Sequence, residues 1–216
     1  MVRTALWLSL AASAVLFALA RAWNPYPGDL SLARSIQELD APGLLAAMEF
    51  LSTIGEELPM GALHLIVIAA LWSAGMRTAS AGGLLVLLSV ATNPLMKLIV
   101  DRDRPAEHLL VRATEDFSGL GFPSGHVFQS TLFFGFLIYL SSFLIKRMWL
   151  RRAAQSALAI LIFAMGFSRV YIGAHWPSDV LGAIVVAVPI GIIIYLHHER
   201  VASLASRFTV VRSIDD

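Results

Sequence analysis

Six long apolar stretches constrain this chain more than any other feature of its sequence. A helix that crosses the hydrocarbon core of a membrane needs about 17–25 mostly apolar residues. Five stretches have this length, and a sixth, starting at residue 153, reaches it if it continues to residue 172. The stretches cover residues 5–22, 58–75, 79–100, 127–145, 153–167 and 177–196. The pattern predicts an all-α fold, a bundle of six transmembrane helices.

The composition supports a membrane protein and excludes several other classes. Of the 216 residues, 57% are hydrophobic and 14% are charged, whereas a soluble domain has about 25% charged residues. This length predicts one integral membrane domain over residues 1–216. The net charge of +1 argues against a nucleic-acid partner. The absence of cysteine excludes disulfides and thiolate catalysis.

The segment between the first two stretches, residues 29–57, differs in character. Its apolar side chains recur at helical spacing, at Leu44, Leu45, Met48, Leu51 and Ile54. This spacing predicts an amphipathic helical segment that lies in the membrane interface. The first stretch itself also resembles a cleavable signal peptide. We favour a retained span, because the chain that follows is itself a membrane bundle.

The distribution of basic residues predicts the orientation of the spans. If the N-terminus is cytoplasmic, the cytoplasmic segments carry nine basic and three acidic residues. The opposite side then carries seven basic and twelve acidic residues. Because cytoplasmic loops are enriched in lysine and arginine, we expect both termini in the cytoplasm.

Three short polar segments stand out in this apolar chain. They are residues 97–105, 123–126 and 168–179. Successive spans cross the membrane in opposite directions. One face of the membrane therefore holds the end of the third span, the start of the fourth span, and the turn between the fifth and sixth spans. The charge distribution makes that face extracytoplasmic. The topology therefore predicts that the three segments meet there.

The cations in these segments point to a phosphate site. Lys97, Arg104 and Arg169 lie where an unpaired charge costs about 2.5–3.5 kcal/mol, so a bound anion is expected to compensate them. Arginine side chains suit tetrahedral oxyanions. Ser124 and Gly125 precede a predicted helix, whose backbone N–H groups favour phosphate.

Two histidines accompany these cations. His175 and Asp179 are four residues apart near the start of a predicted helix, so the carboxylate can orient the imidazole. The other ring nitrogen of His175 is then free to attack phosphorus. Because the histidine side chain in general titrates near neutral pH, His126 is the natural proton donor to the leaving oxygen.

The three segments together resemble the type 2 phosphatidic acid phosphatase (PAP2) superfamily, with its pattern K-x6-RP, PSGH and SR-x5-H-x3-D. This pattern is matched by Lys97 with Arg104-Pro105, by Pro123-Ser124-Gly125-His126, and by Ser168-Arg169 with His175 and Asp179. The resemblance implies a six-span enzyme that hydrolyses phosphate esters through a phosphohistidine, without metal or cofactor.

The resemblance also implies a role for each residue. His175 is the nucleophile, Asp179 its orienting partner, and His126 the acid that later activates water. The phosphoryl group is bound by Lys97, Arg104, Ser124, Gly125 and Arg169.

Other readings of these residues stay open at this point. The arginines could anchor at lipid headgroups. A zinc ion could be bound by His126, His175 and Asp179. Ser124 could be the nucleophile. Arg102 could contact a second phosphate or simply be solvated. For His64, inside the second stretch, we favour a neutral packing role over a functional one.

A site at the outer face of a membrane suits a lipid substrate. By analogy we favour undecaprenyl diphosphate and a bacterial inner (plasma) membrane location. Phosphatidylglycerophosphate, phosphatidate, lipid A phosphate and soluble esters are alternatives, and a non-hydrolytic lipid or phosphate transporter is a rival of another class. The sequence does not indicate an oligomeric state.

Overall fold

The computed structural model describes residues 2–113 and 119–212, which form nine α-helices and one short 3-10 turn, Glu107–Leu109. The α-helices are α1 Val2–Ala22, α2 Asp29–Gln37, α3 Leu44–Ile54, α4 Glu57–Ser73, α5 Arg77–Val90, α6 Thr92–Val100, α7 Gly125–Leu144, α8 Met148–Tyr171 and α9 Pro177–Arg212. No β-strand forms within the two described ranges; one isolated bridge joins Asp103 and Leu120. The predicted all-α class is confirmed for these residues.

Five segments are long and apolar enough to cross a membrane. They are α1, α5 together with α6, α7, α8, and Pro177–His197 of α9. A sixth arises if α3 and α4, which meet at a bend of 60°, form one broken span. We therefore describe an integral membrane protein with five or six spans, and the count of six stays a prediction.

Two predicted spans differ in detail from the observed helices. Residues 79–100 divide at Ala91 into α5 and α6; Pro94, which cannot donate a backbone hydrogen bond, lies in the first turn of α6. Helix α8 has 24 residues and extends beyond the predicted 153–167 at both ends. Polar residues such as Arg152 and Arg169 interrupt the apolar pattern there, but they do not interrupt the helix.

The segment predicted to be interfacial, residues 29–57, contains α2 and α3 and the first residue of α4. A glycine with positive φ, Gly43 at 77°, separates α2 from α3. The apolar side of α3 packs on protein, because Met48 is buried in a cluster with Tyr171, Ile172 and Ala174. Its location at the membrane interface stays a prediction.

Helix α7 lies at the centre of the bundle. Within its most apolar stretch 56% of the residues are buried inside the protein, against 6% for α1. Its buried aromatic side chains, including Phe128 and Phe136, belong to a core shared with α5 and α9. The polar segments at the ends of α6, α7 and α8 are therefore attached to a packed centre.

The start of α7 is fixed against α9 by Phe122, which is 1% exposed. A Cβ atom on the buried Gly182 of α9 would overlap the ring of Phe122. Glycine at this position therefore allows α9 to approach the loop that leads into α7.

We expect Gly182→Ala to destabilise the protein by about 1–3 kcal/mol, because the extra methyl group overpacks this contact. Gly191→Ala, in the same helix, is the matched control, since a Cβ there meets nothing within 4 Å. Thermal unfolding in detergent should show a lower Tm for Gly182→Ala and an unchanged or higher Tm for Gly191→Ala. Equal Tm values for the two variants would contradict this account of the packing.

Candidate active site

Hydrogen bonds join the three polar segments at one end of the bundle. Lys97 Nζ donates to the carbonyl of Leu120 at 3.0 Å. Arg104 Nη1 donates to the carbonyl of Ala174 at 3.2 Å. The backbone N–H of Ser124 lies 3.3 Å from the carbonyl of Asp179 and donates to it. The structure thus brings together the segments that the sequence predicted to meet.

His175 lies in the tight turn between α8 and α9. Its backbone N–H donates to the carbonyl of Arg169 at 3.2 Å, and its side chain is 1% exposed. The turn passes through Gly173, whose φ of 84° favours glycine and whose Cβ position is blocked by the carbonyl of Arg112. The chain therefore folds back sharply and encloses the imidazole.

The predicted contact between His175 and Asp179 is present but long. Nδ1 of His175 lies 3.5 Å from Oδ2 of Asp179, and Nδ1 has no hydrogen-bond partner among the described residues. His175 precedes α9, which begins at Pro177, so the two side chains are not on one helix face. The backbone N–H of Trp176 donates to the same Oδ2 at 3.0 Å.

The surroundings keep the imidazole of His175 uncharged. Burial lowers its pKa well below the ordinary value of 6.5, and the positive charges of Arg104, Arg169 and Lys97 lower it further. Both effects disfavour the protonated ring. At neutral pH His175 therefore has a nitrogen lone pair available for attack.

His126 lies one residue into α7, close to the end of α8. Ser52 of α3 connects the two, because its backbone hydrogen-bonds to His126 and its hydroxyl accepts from Arg169. The Nε2 atom of His126 is buried and has no hydrogen-bond partner among the described residues. Gly55 is also required here, since a Cβ would come 2.8 Å from the His126 ring.

The N-terminus of α7 has the form of an anion site. Ser124 is its N-cap residue, but its side chain makes no capping hydrogen bond, contrary to what an N-cap role would suggest. Its Oγ is buried without a hydrogen-bond partner among the described residues. A Cβ on Gly125 would lie 3.2 Å from Asn93 Oδ1. The unused hydroxyl and the first N–H groups of the helix are suitable hydrogen-bond donors to a phosphate.

Arg102 is not the solvated or second-phosphate residue that the sequence suggested. It is 2% exposed and forms ion pairs with Asp29 and Asp179 at 2.8 and 2.7 Å. Its neighbours Asp101 and Asp103 are exposed. The sequence analysis missed this role, because Asp29 lies 73 positions away and no local pattern links the two.

His64 has the packing role that we favoured. It is 1% exposed, its Nδ1 is 2.8 Å from the carbonyl of Met60, and its ring centroid lies 4.1 Å from that of Phe133. As for zinc, no group of three or more His, Cys, Asp or Glu side chains in the described ranges has a metal-binding arrangement.

Comparison with known proteins identifies the family. The family model of the PAP2 superfamily matches residues 78–202. The chain is 27% identical over 173 residues to decaprenylphosphoryl-5-phosphoribose phosphatase of Mycobacterium tuberculosis, covering 77% of this chain and 89% of that protein. It is 32% identical over 108 residues to phosphatidylglycerophosphatase B of Bacillus subtilis, covering 46% of this chain and 50% of that protein.

Two crystal structures share the fold. A transmembrane PAP2-type phosphatidylglycerolphosphate phosphatase from Bacillus subtilis superposes with a TM-score of 0.71 at 21% identity, covering 88% of this chain and 96% of that one. Aquifex aeolicus LpxE gives a TM-score of 0.56 at 20% identity, covering 77% and 93%. The Mycobacterium tuberculosis and Bacillus subtilis relatives found by sequence are named as phosphatases, so the predicted enzyme class is confirmed at the level of the family. Because the family model matches more than half of the chain, this protein belongs to the PAP2 superfamily.

Proposed function

We propose that this protein hydrolyses a lipid phosphate or diphosphate through a phosphohistidine on His175. The observation that carries the proposal is the uncharged, fully enclosed imidazole of His175 beside three cations. A neutral nucleophile in a positive field is what attack on a phosphate dianion requires. A pure transporter would need the cations but not the His175–Asp179 pair.

The proposed reaction has two steps. Nδ1 of His175 faces Asp179, so Nε2 attacks phosphorus while the bond from phosphorus to the lipid oxygen breaks. That oxygen takes the bonding electrons and the proton that the imidazolium form of His126 gives up, which leaves His126 as a neutral base. Then His126 accepts a proton from water, the resulting hydroxide attacks phosphorus, and the N–P bond breaks to release inorganic phosphate.

The remaining residues bind the phosphoryl group. Lys97, Arg104 and Arg169 supply the positive charge, with arginine forks matched to the geometry of the oxyanion. Ser124 and Gly125 contribute the hydroxyl and the N–H groups at the start of α7. No step needs a metal ion, and we propose a metal-independent reaction.

An apolar cavity supports a lipid substrate. It has a volume of about 310 Å³ and lies between α5, α7 and α9. Its lining begins at Thr131, five residues along α7 from His126, and includes Phe136 and Ile192. An acyl or prenyl chain in the bilayer could enter it while the headgroup stays at the cations.

Undecaprenyl diphosphate is our first candidate substrate. The Mycobacterium tuberculosis relative is matched over most of its length and is named for a polyprenyl-linked substrate. This name supports a substrate with a prenyl chain. Phosphatidylglycerophosphate is the second candidate, supported by the named activity of the Bacillus subtilis relative. We further propose, from the charge distribution, a bacterial inner-membrane protein with cytoplasmic termini and an extracytoplasmic site.

A lipid panel tests the substrate and the proposed independence from metals. We expect purified protein in detergent to release phosphate from undecaprenyl diphosphate faster than from phosphatidylglycerophosphate, phosphatidate or lipid A, because of its prenyl chain. The rate should be the same with and without EDTA, since the site consists of cations and imidazoles. Loss of activity in EDTA would contradict the mechanism, and a preference for another lipid would replace the first candidate.

We expect His175→Ala to abolish turnover without unfolding the protein, because it removes the nucleophile. Phosphate release in detergent measures the activity, and rapid quenching with a labelled substrate measures the acid-labile phosphoprotein, which should disappear. His108→Ala is the matched control, since His108 is exposed in the neighbouring 3-10 turn. Near-normal turnover by His175→Ala would refute the nucleophile assignment.

We expect Arg169→Lys to lower kcat/KM by about 10- to 100-fold, the effect of losing one charged hydrogen bond of about 1.5–3 kcal/mol. Lysine keeps the charge but cannot reproduce the arginine fork. Arg152→Lys, on an exposed position of the same helix, serves as the control. Equal kcat/KM for both variants would remove Arg169 from the phosphate site.

A further inference from the structure

Arg102 lies buried between two carboxylates beside the candidate active site. Its Nη2 donates to Asp29 Oδ2 at 2.8 Å, and its Nη1 donates to Asp179 Oδ1 at 2.7 Å. The side chains of all three residues are at most 3% exposed. The guanidinium group therefore bridges the start of α2 and the start of α9.

Asp29 is tied to the first turn of α9 by further hydrogen bonds. Its Oδ1 accepts from the backbone N–H of Ser178 at 2.9 Å, and its Oδ2 accepts from the Ser178 hydroxyl at 2.6 Å. Its Oδ2 also accepts from the backbone N–H of Tyr26 at 2.9 Å. Asp29 is thus fixed by hydrogen bonds from Tyr26 and Ser178, and it binds Arg102 in turn.

The bridge is an electrostatic necessity. Two carboxylates buried close together repel each other, and a buried charge without a partner is strongly destabilising. A guanidinium group can bind both at once with its separate nitrogens, whereas a lysine ammonium is a point charge. Arg104 adds positive charge near Asp179, but its Nη1 donates to the carbonyl of Ala174.

The bridge also determines the orientation of the Asp179 carboxylate relative to His175. Arg102 donates to Oδ1 and the backbone N–H of Trp176 donates to Oδ2, so the carboxylate plane is fixed with Oδ2 3.5 Å from Nδ1 of His175. We propose that Arg102 and Asp29 are positioning residues, which orient Asp179 and through it the nucleophile. This inference rests on the proposed role of His175, and it assigns Arg102 no contact with substrate.

Arg102→Gln tests the inference, with a short-chain phosphatidate in detergent micelles as the probe. We expect kcat to fall at least about tenfold while KM changes by less than about twofold, because the defect lies in the nucleophile and not in binding. Arg34→Gln is the control, because Arg34 is exposed and its side chain donates to the carbonyl of Leu109, away from the Asp29–Arg102–Asp179 cluster.

A second variant separates positioning from folding. Arg102→Gln with Asp29→Asn removes one positive and one negative charge, so it keeps the net charge of the cluster and nearly its volume. We expect this double variant to fold with a higher Tm than Arg102→Gln, because it leaves one buried carboxylate without its partner instead of two, and still to show the loss of kcat. Wild-type kcat in either folded variant would overturn the proposal, as would a raised KM with unchanged kcat. Failure of the double variant to fold would assign the cluster a structural role and overturn it as well.

The outcome is distinguishable from a failure of the proposed function. If wild-type protein releases phosphate and His175→Ala does not, the function stands and the Arg102 variants test the positioning role alone. If His175→Ala is active, the nucleophile assignment fails and the positioning role fails with it.

Discussion

The structure depends on a group of positively charged side chains that is held inside the end of the bundle. Lys97 and Arg104 donate to backbone carbonyls, and Arg169 donates to the hydroxyl of Ser52. These uncharged oxygens solvate the cations. The nearby carboxylates, Asp29 and Asp179, are instead bound by Arg102.

The burial of the proposed nucleophile and the charge of these cations act in the same direction. In water an imidazole is partly protonated at neutral pH, whereas the enclosed ring of His175 stays neutral because both burial and the cations lower its pKa. The tight turn through Gly173 encloses the ring, and the packing of Phe122 against Gly182 brings the start of α7 to it. Membrane topology supplies the remaining constraint, since helices that alternate in direction carry their polar ends to the same level.

Sequence alone predicted the helical class, the apolar spans and the meeting of three polar segments, because each of these follows from local patterns. It did not predict that α3 supplies Ser52 to the site, or that residues 29–57 contain two separate helices and the start of a third. It also misjudged Arg102, since a charged residue in a loop resembles a solvated one until its partner is known. The partner, Asp29, lies far away in the chain, and only the packing of α2 against α8 and α9 brings it close.

This difference between local and long-range signals has a physical origin. A phosphate site needs cations and N–H groups of fixed type, and helix ends supply them at short spacing. The orientation of Asp179 depends instead on a buried ion pair, which is stable only if its geometry is complete. Such a pair brings little net stability, because its attraction mainly offsets the cost of removing the charges from water. The Asp29–Arg102–Asp179 cluster therefore makes more sense as a means of fixing the carboxylate beside His175 than as a source of folding energy.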